Sequence, residues 1–253
     1  MKKNLFTSLI AFIMCLASCS FVSKDFDTSD KDSLVIQLIT YVLDQAHYLD
    51  KEIDDNFSEK VFNTFLENLD PYKRYFYASD IEEFSEYKYS IDDAFKNPNF
   101  DFFDLVYERY KERMSESEKI FNKILSTPFD FSKDEVCECD FEVLDYVQTN
   151  HELYDRWRKL LKIYVIENYH NEIEDDLRKF EKDSLFQIRN LDLIEKETRE
   201  SLSETMIQNY RFVSEEMQRS DWLSVYINSF VSQYDPNTSY LDPESKDRFD
   251  VDM

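Results

Sequence analysis

Glycine is absent from this 253-residue chain. An average sequence of this length holds roughly eighteen glycines, at about 7%. Phosphate-cradling loops, dinucleotide fingerprints and strand-to-helix nucleophile elbows need the close backbone approach or positive φ that glycine supplies most easily, so all three are excluded. Tight β-hairpins are disfavoured for the same reason. Basic residues are also scarce: 30 Lys and Arg stand against 54 Asp and Glu, a net charge of −24. A surface of that sign repels a phosphate backbone, which argues against nucleic acid as a partner. With so many acids, carboxylate pairs arise by chance, and none marks a hydrolase of the paired-carboxylate kind.

What the chain does have is hydrophobic and aromatic content, 42% and 16% respectively. That is enough for a sizeable core and too aromatic for a disordered chain. The opening MKKNLFTSLIAFIMCLASCS has two lysines, an apolar run from Leu5 to Leu16 and small residues, the pattern of a secretory signal too short to span a bilayer. Leu16-Ala17-Ser18-Cys19 resembles a bacterial lipobox, which makes Cys19 the expected lipidation site and first mature residue. Loss of residues 1–18 removes two lysines and no acids, for a mature charge of −26. The expectation is an exported chain, lipid-anchored on the periplasmic side of a Gram-negative envelope. Residues 19–32 read as a polar tether.

Cys15 leaves with the signal, so Cys137 and Cys139 remain. Two cysteines one residue apart close only a small strained ring, which suits a free or labile pair. A zinc site needs four ligands, and His47, His151 and His170 have no ligand spacing to this pair. No metal and no cofactor is expected.

Helical periodicity dominates the rest. Leu34, Leu38, Tyr41, Val42 and Leu49 line one face of a first helix. Phe57, Val61, Phe65, Leu66 and Leu69 line a second, stopped by Asp70-Pro71. Ser79-Asp80-Ile81-Glu82 and Thr149-Asn150-His151-Glu152 read as capping boxes. Charged helical sequence runs through Leu177, Leu185 and Ile188, and a last apolar helix ends at Asp235-Pro236. The expected fold is all-α, about eight helices. Its organisation reads as a helical lobe over 33–128, a connector over 129–148, a second lobe over 149–235 and a junction over 236–253. The apolar stripes are expected to be core.

One pattern recurs. Asp70-Pro71, three residues, then Tyr75 and later Phe84 match Asp235-Pro236, three residues, then Tyr240 and later Phe249. Phe65 and Phe230 each precede the Asp by five residues, Asn63 and Asn228 by seven. The chain thus contains a helix, Asp-Pro turn, tyrosine anchor and next helix twice. A duplicated feature is more naturally a structural corner than a catalytic one.

At these residues the sequence resembles the N-terminal domain of bacterial tail-specific, or carboxy-terminal processing, proteases. LDPYKRYFYASDIEEF (69–84), NPNFDFFDLVYERY (97–110) and FVSQYDPNTSYLDPESKDRFDVDM (230–253) carry the resemblance. It runs from about residue 33 to 253, loosely over 130–200, and the Cys-x-Cys is foreign to the pattern. The resemblance implies a helical region that precedes a PDZ domain and a serine protease domain with a Ser-Lys dyad. In relatives this region helps form a vault around the site and can dock an adaptor lipoprotein that delivers protein substrates. This chain has no glycine for a PDZ loop and none of the catalytic motif, so no catalytic residue is assigned. The expectation is a fragment whose PDZ and protease domains lie elsewhere, or else a free-standing lipoprotein that binds partners.

Overall fold

The computed structural model describes residues 28–46, 51–242 and 246. Cys19, the signal segment and most of the expected junction lie outside the described residues. Among the described residues there are eight α-helices and no strands: α1 Thr28–Ala46, α2 Asp55–Leu69, α3 Ala78–Phe84, α4 Ile91–Lys96, α5 Asp101–Leu125, α6 Asn150–Lys182, α7 Leu191–Arg211 and α8 Arg219–Val231. A 3₁₀ turn, Ser85–Tyr87, follows α3, and a π turn, Phe212–Glu216, follows α7. The fold is the all-α, multi-helix class expected from the periodicity.

Local chemistry sets the starts. Asp54 accepts from the Phe57 N–H at 2.9 Å and opens α2. Thr149 accepts from the Glu152 N–H at 3.2 Å, and Glu152 reaches back to the N–H of Gln148 at 2.8 Å. At α3 the helix starts earlier than Ser79: Tyr77 is the cap, and Asp80, three residues in, accepts the Tyr77 N–H at 2.9 Å.

Two buried clusters form. The first joins α1, α2, α4, the first half of α5 and α8. Phe95 stacks on Phe230 at 3.7 Å, Phe57 meets Phe230 edge-on at 4.9 Å, and Phe65 meets Tyr226 at 5.0 Å. The two helices that precede the Asp-Pro turns, α2 and α8, pack on each other, and Asn68 donates to Ser229 across them at 3.1 Å. The second cluster joins the end of α5 to Leu153, Trp157, Leu161 and Val165 of α6. Thus α8, which the sequence places with the second lobe, completes the core of the first.

The buried stripe of α1 differs from the expected one. Leu34, Leu38, Tyr41 and Val42 are exposed, by 48–65%, while Ile36 and Leu43 are buried. Apolar residues surround most of this helix, so tertiary bonds decide its rotation. Asp32 is buried and pairs with Arg219 of α8 at 2.6 Å, and Thr40 donates to the Phe95 carbonyl at 3.4 Å.

Leu177, Leu185 and Ile188 are also exposed rather than core. The helix breaks at the Asp183–Asn190 loop, and α6, about 50 Å long at 1.5 Å per residue, runs out with α7 as a charged hairpin. Arg189 fastens its tip. Its guanidinium bonds Asp176 at 2.8 and 2.9 Å, Glu172 at 2.8 Å and Glu197 at 2.7 Å, and its N–H donates to Asp176 at 3.0 Å. The bonds from Arg189 hold the Asp176 carboxyl down to about 2. A depressed carboxyl contributes stability above its unfolded pKa, about 3.9, and that stability is lost as pH falls through 2. Amide exchange at residues 184–190, corrected for intrinsic rates, should therefore rise between pH 4 and pH 2. Asp176→Asn should exchange quickly throughout and show no such step; a wild-type tip insensitive to pH in this window would contradict the assignment.

Candidate functional site

The first Asp-Pro corner is the hub of the molecule. Pro71 ends α2, and the Asp70 side chain turns inward, 1% exposed. Its carboxylate accepts three backbone N–H groups, from Arg74 at 2.8 Å, Tyr75 at 2.9 Å and Phe76 at 3.0 Å. Burial pushes this carboxyl up; the three N–H groups and the Arg74 guanidinium pull against it. With no glycine to take the left-handed position, Lys73 takes it, at φ 46°. The Lys73 ammonium then reaches the carbonyls of Glu142 and Leu144 in the connector and lies 5.5 Å from the Tyr146 ring centre.

The corner is gripped by α6. Trp157 Nε1 donates to the Arg74 carbonyl at 2.9 Å. Arg156 donates to the Lys73 carbonyl and, at 2.9 Å, to that of Asp145. The Arg74 guanidinium lies 4.8 Å from Trp157, 4.9 Å from Tyr72 and 5.4 Å from Tyr75. Its Nε is buried without a hydrogen-bond partner and lies among these ring faces. Tyr75 packs against both buried clusters. Beyond it, Ala78 N–H donates to the Val147 carbonyl at 2.9 Å, the isolated bridge that ties connector to corner.

Asp80 lies just past the corner, 1% exposed, in a fork of Arg109 and Arg113; Arg113 bonds both of its oxygens at 2.8 Å. Burial pushes its carboxyl up, but the Arg113, Tyr77 and Arg109 bonds outweigh that and hold it below the usual range. The capping pattern at Asp80 does not reveal this fork. The available signal was Arg109 and Arg113 four apart on one face of α5.

The second corner is built differently. Asp235 is half-buried and accepts from the N–H of Asn237 at 2.8 Å. Pro236 is exposed. Here Asn228 closes the corner: it accepts from the Tyr240 N–H at 2.7 Å and donates to the Tyr240 carbonyl at 3.0 Å. Tyr240 packs, partly buried, against the first cluster. The two corners share spacing but differ in what receives the tyrosine N–H: Asp70 at the first, Asn228 at the second.

Between the connector and the first turns of α6 lies an open cavity of about 740 Å³, with Phe141, Tyr146, His151, Arg156 and Lys159 among its walls. The polar groups of the first corner are engaged with backbone, which suits it to hold shape and to present this cleft.

A family model described as "Tail specific protease N-terminal domain" matches residues 39–244. A tail-specific protease of Haemophilus influenzae is 26% identical over 229 residues, covering 87% of this chain and 29% of the relative. The chain thus spans about three-tenths of the length of that relative.

Proposed function

Because the chain belongs to the tail-specific protease N-terminal domain family, we propose that it is the non-catalytic helical region of a cell-envelope carboxy-terminal processing serine protease. In this reading it supports docking of protein substrates or of an adaptor lipoprotein, and the peptide chemistry belongs to PDZ and protease domains outside these residues. The observation that carries the proposal is the family match across both Asp-Pro corners and the helices that frame them. Lipidation at Cys19 on the periplasmic side of the membrane is part of the same proposal.

The chain alone should show no labelling by a serine-reactive probe and no turnover of a peptide with an apolar carboxy-terminal tail. It should nevertheless retain an envelope protein substrate, or an adaptor lipoprotein, on an affinity column. Probe labelling with turnover would overturn the non-catalytic assignment; retention of neither would overturn the docking role. Incorporation of a labelled fatty acid, lost in Cys19→Ser, checks the anchor. A second reading, a free-standing lipoprotein module, is favoured by the lipobox Leu16–Cys19. The coding DNA after Met253 separates the two readings: a continuing frame with a glycine-rich PDZ loop supports the protease.

A further inference from the structure

Cys137 and Cys139 are both free thiols and sit in the connector between two clamps. Upstream, Glu135 accepts from Arg158 at 2.6 Å and from Lys162 at 2.7 Å. Downstream, Lys73 and Arg156 hold the carbonyls of Leu144 and Asp145. The residues between them belong to no helix, and Val136 is 82% exposed. The Cys139 thiol folds back to the Cys137 carbonyl at 3.8 Å, and Cys137 points to the Glu138 carbonyl at 3.8 Å. Both sulfurs are thus kept within one short kink.

The two thiols are unequal. Cys139 is exposed, whereas Cys137 is partly covered and lines the open cavity with Arg156 and Lys159. Burial pushes the Cys137 thiol up, its neighbour Cys139 pushes it further, and Lys159 opposes them. The accessible sulfur is therefore suited to attack first and the covered one to follow.

We propose that Cys137 and Cys139 form a thiol–disulfide exchange site whose co-substrate is a small-molecule disulfide. The Cys139 thiolate attacks one sulfur of the incoming disulfide; that S–S bond breaks and the first thiol leaves with a proton. Cys137 then attacks the Cys139 sulfur, the mixed disulfide breaks, and the second thiol leaves. The pair loses two electrons and two protons, and the incoming disulfide becomes two thiols. The ring closed across a single residue is small and strained, so a reducing thiol reopens it readily.

The test treats the full chain with oxidised glutathione, quenches with an alkylating agent and reads the tryptic peptide 134–156, which holds both cysteines. The expected product is a peptide two hydrogens lighter, with no stable glutathione adduct. Cys137→Ser should trap glutathione on Cys139, and Cys139→Ser should react at least tenfold more slowly at Cys137. Two glutathiones on one peptide, a disulfide to a second chain, or thiols that stay alkylatable would each overturn the proposal.

Discussion

Asp70→Ala is expected to lower the stability of this chain by about 3 kcal/mol, because it strands three N–H donors, one buried and two part-buried, at about 1–3 kcal/mol for each that water cannot reach, while removing a carboxylate that is itself costly to bury. For a chain of this size that is a fall in Tm of roughly 6–12 °C, read by far-ultraviolet circular dichroism. The reason lies in the corner itself. Arg74, Tyr75 and Phe76 turn their N–H groups onto one carboxylate. Asp70→Asn keeps one oxygen but turns amide donors toward backbone donors, so it should fall between alanine and wild type. Asp235→Ala serves as the internal comparison, since its carboxylate is half-buried and bonds a neighbouring turn residue; its cost should be under about 1 kcal/mol. Equal losses at the two positions would mean that the corners are energetically equivalent, contrary to their hydrogen bonding.

Trp157→Ala should cost about 4 kcal/mol, the usual scale for emptying a buried aromatic site. Trp157 is 1% exposed, lies 6.0 Å from Phe121 and 5.9 Å from Tyr75, and hydrogen-bonds the corner. It therefore fills the second core and anchors the first corner at once. Trp157→Phe retains much of the packing and gives up the donor, and should cost about 1–2 kcal/mol. Urea melts of the two variants separate the contributions. If phenylalanine were as damaging as alanine, the bond to the Arg74 carbonyl would dominate; if alanine cost under about 1 kcal/mol, α6 would not be gripping the corner.

These two sites also show how far the sequence could be read. The helix end at Asp70-Pro71, the cap at Thr149 and the apolar faces of α2 and α8 are local or periodic signals, and they appear in the structure where the pattern puts them. The other expected end is displaced: α8 stops at Val231, and a turn over 232–234 separates it from Asp235-Pro236. Rotation of α1 is not such a signal. Leu34, Leu38, Tyr41 and Val42 form as good a stripe as Ile36, Ile39 and Leu43, and the choice between them rests on Asp32 meeting Arg219, 187 residues away. The leucines of the α6–α7 tip are exposed against their helical pattern for a related reason: a sequence window cannot tell that a helix has run past its neighbours. The repeat was visible as spacing, yet spacing carries no information on burial. One Asp went inside to hold three N–H groups, while at the other corner Asn228, on the preceding helix, took over part of the work. The Asp80 fork needs two arginines from a helix that begins twenty-one residues later in the chain, and nothing at Asp80 itself announces them.

The place of α8 bears on how this chain is made. The first cluster is built from residues near the start of the described chain, yet Trp222, Tyr226, Ile227 and Phe230 fill its centre. During synthesis from the amino end, α1, α2, α4 and half of α5 emerge with their apolar faces uncovered, and they stay so until Arg219–Val231 follows. The α6–α7 hairpin, whose contacts are closer in sequence, can close in the meantime. Contacts of such long sequence separation form late and slowly. A chain cut anywhere before residue 219 lacks the helix that seals its oldest core, and a nascent chain in that state is the one most exposed to aggregation.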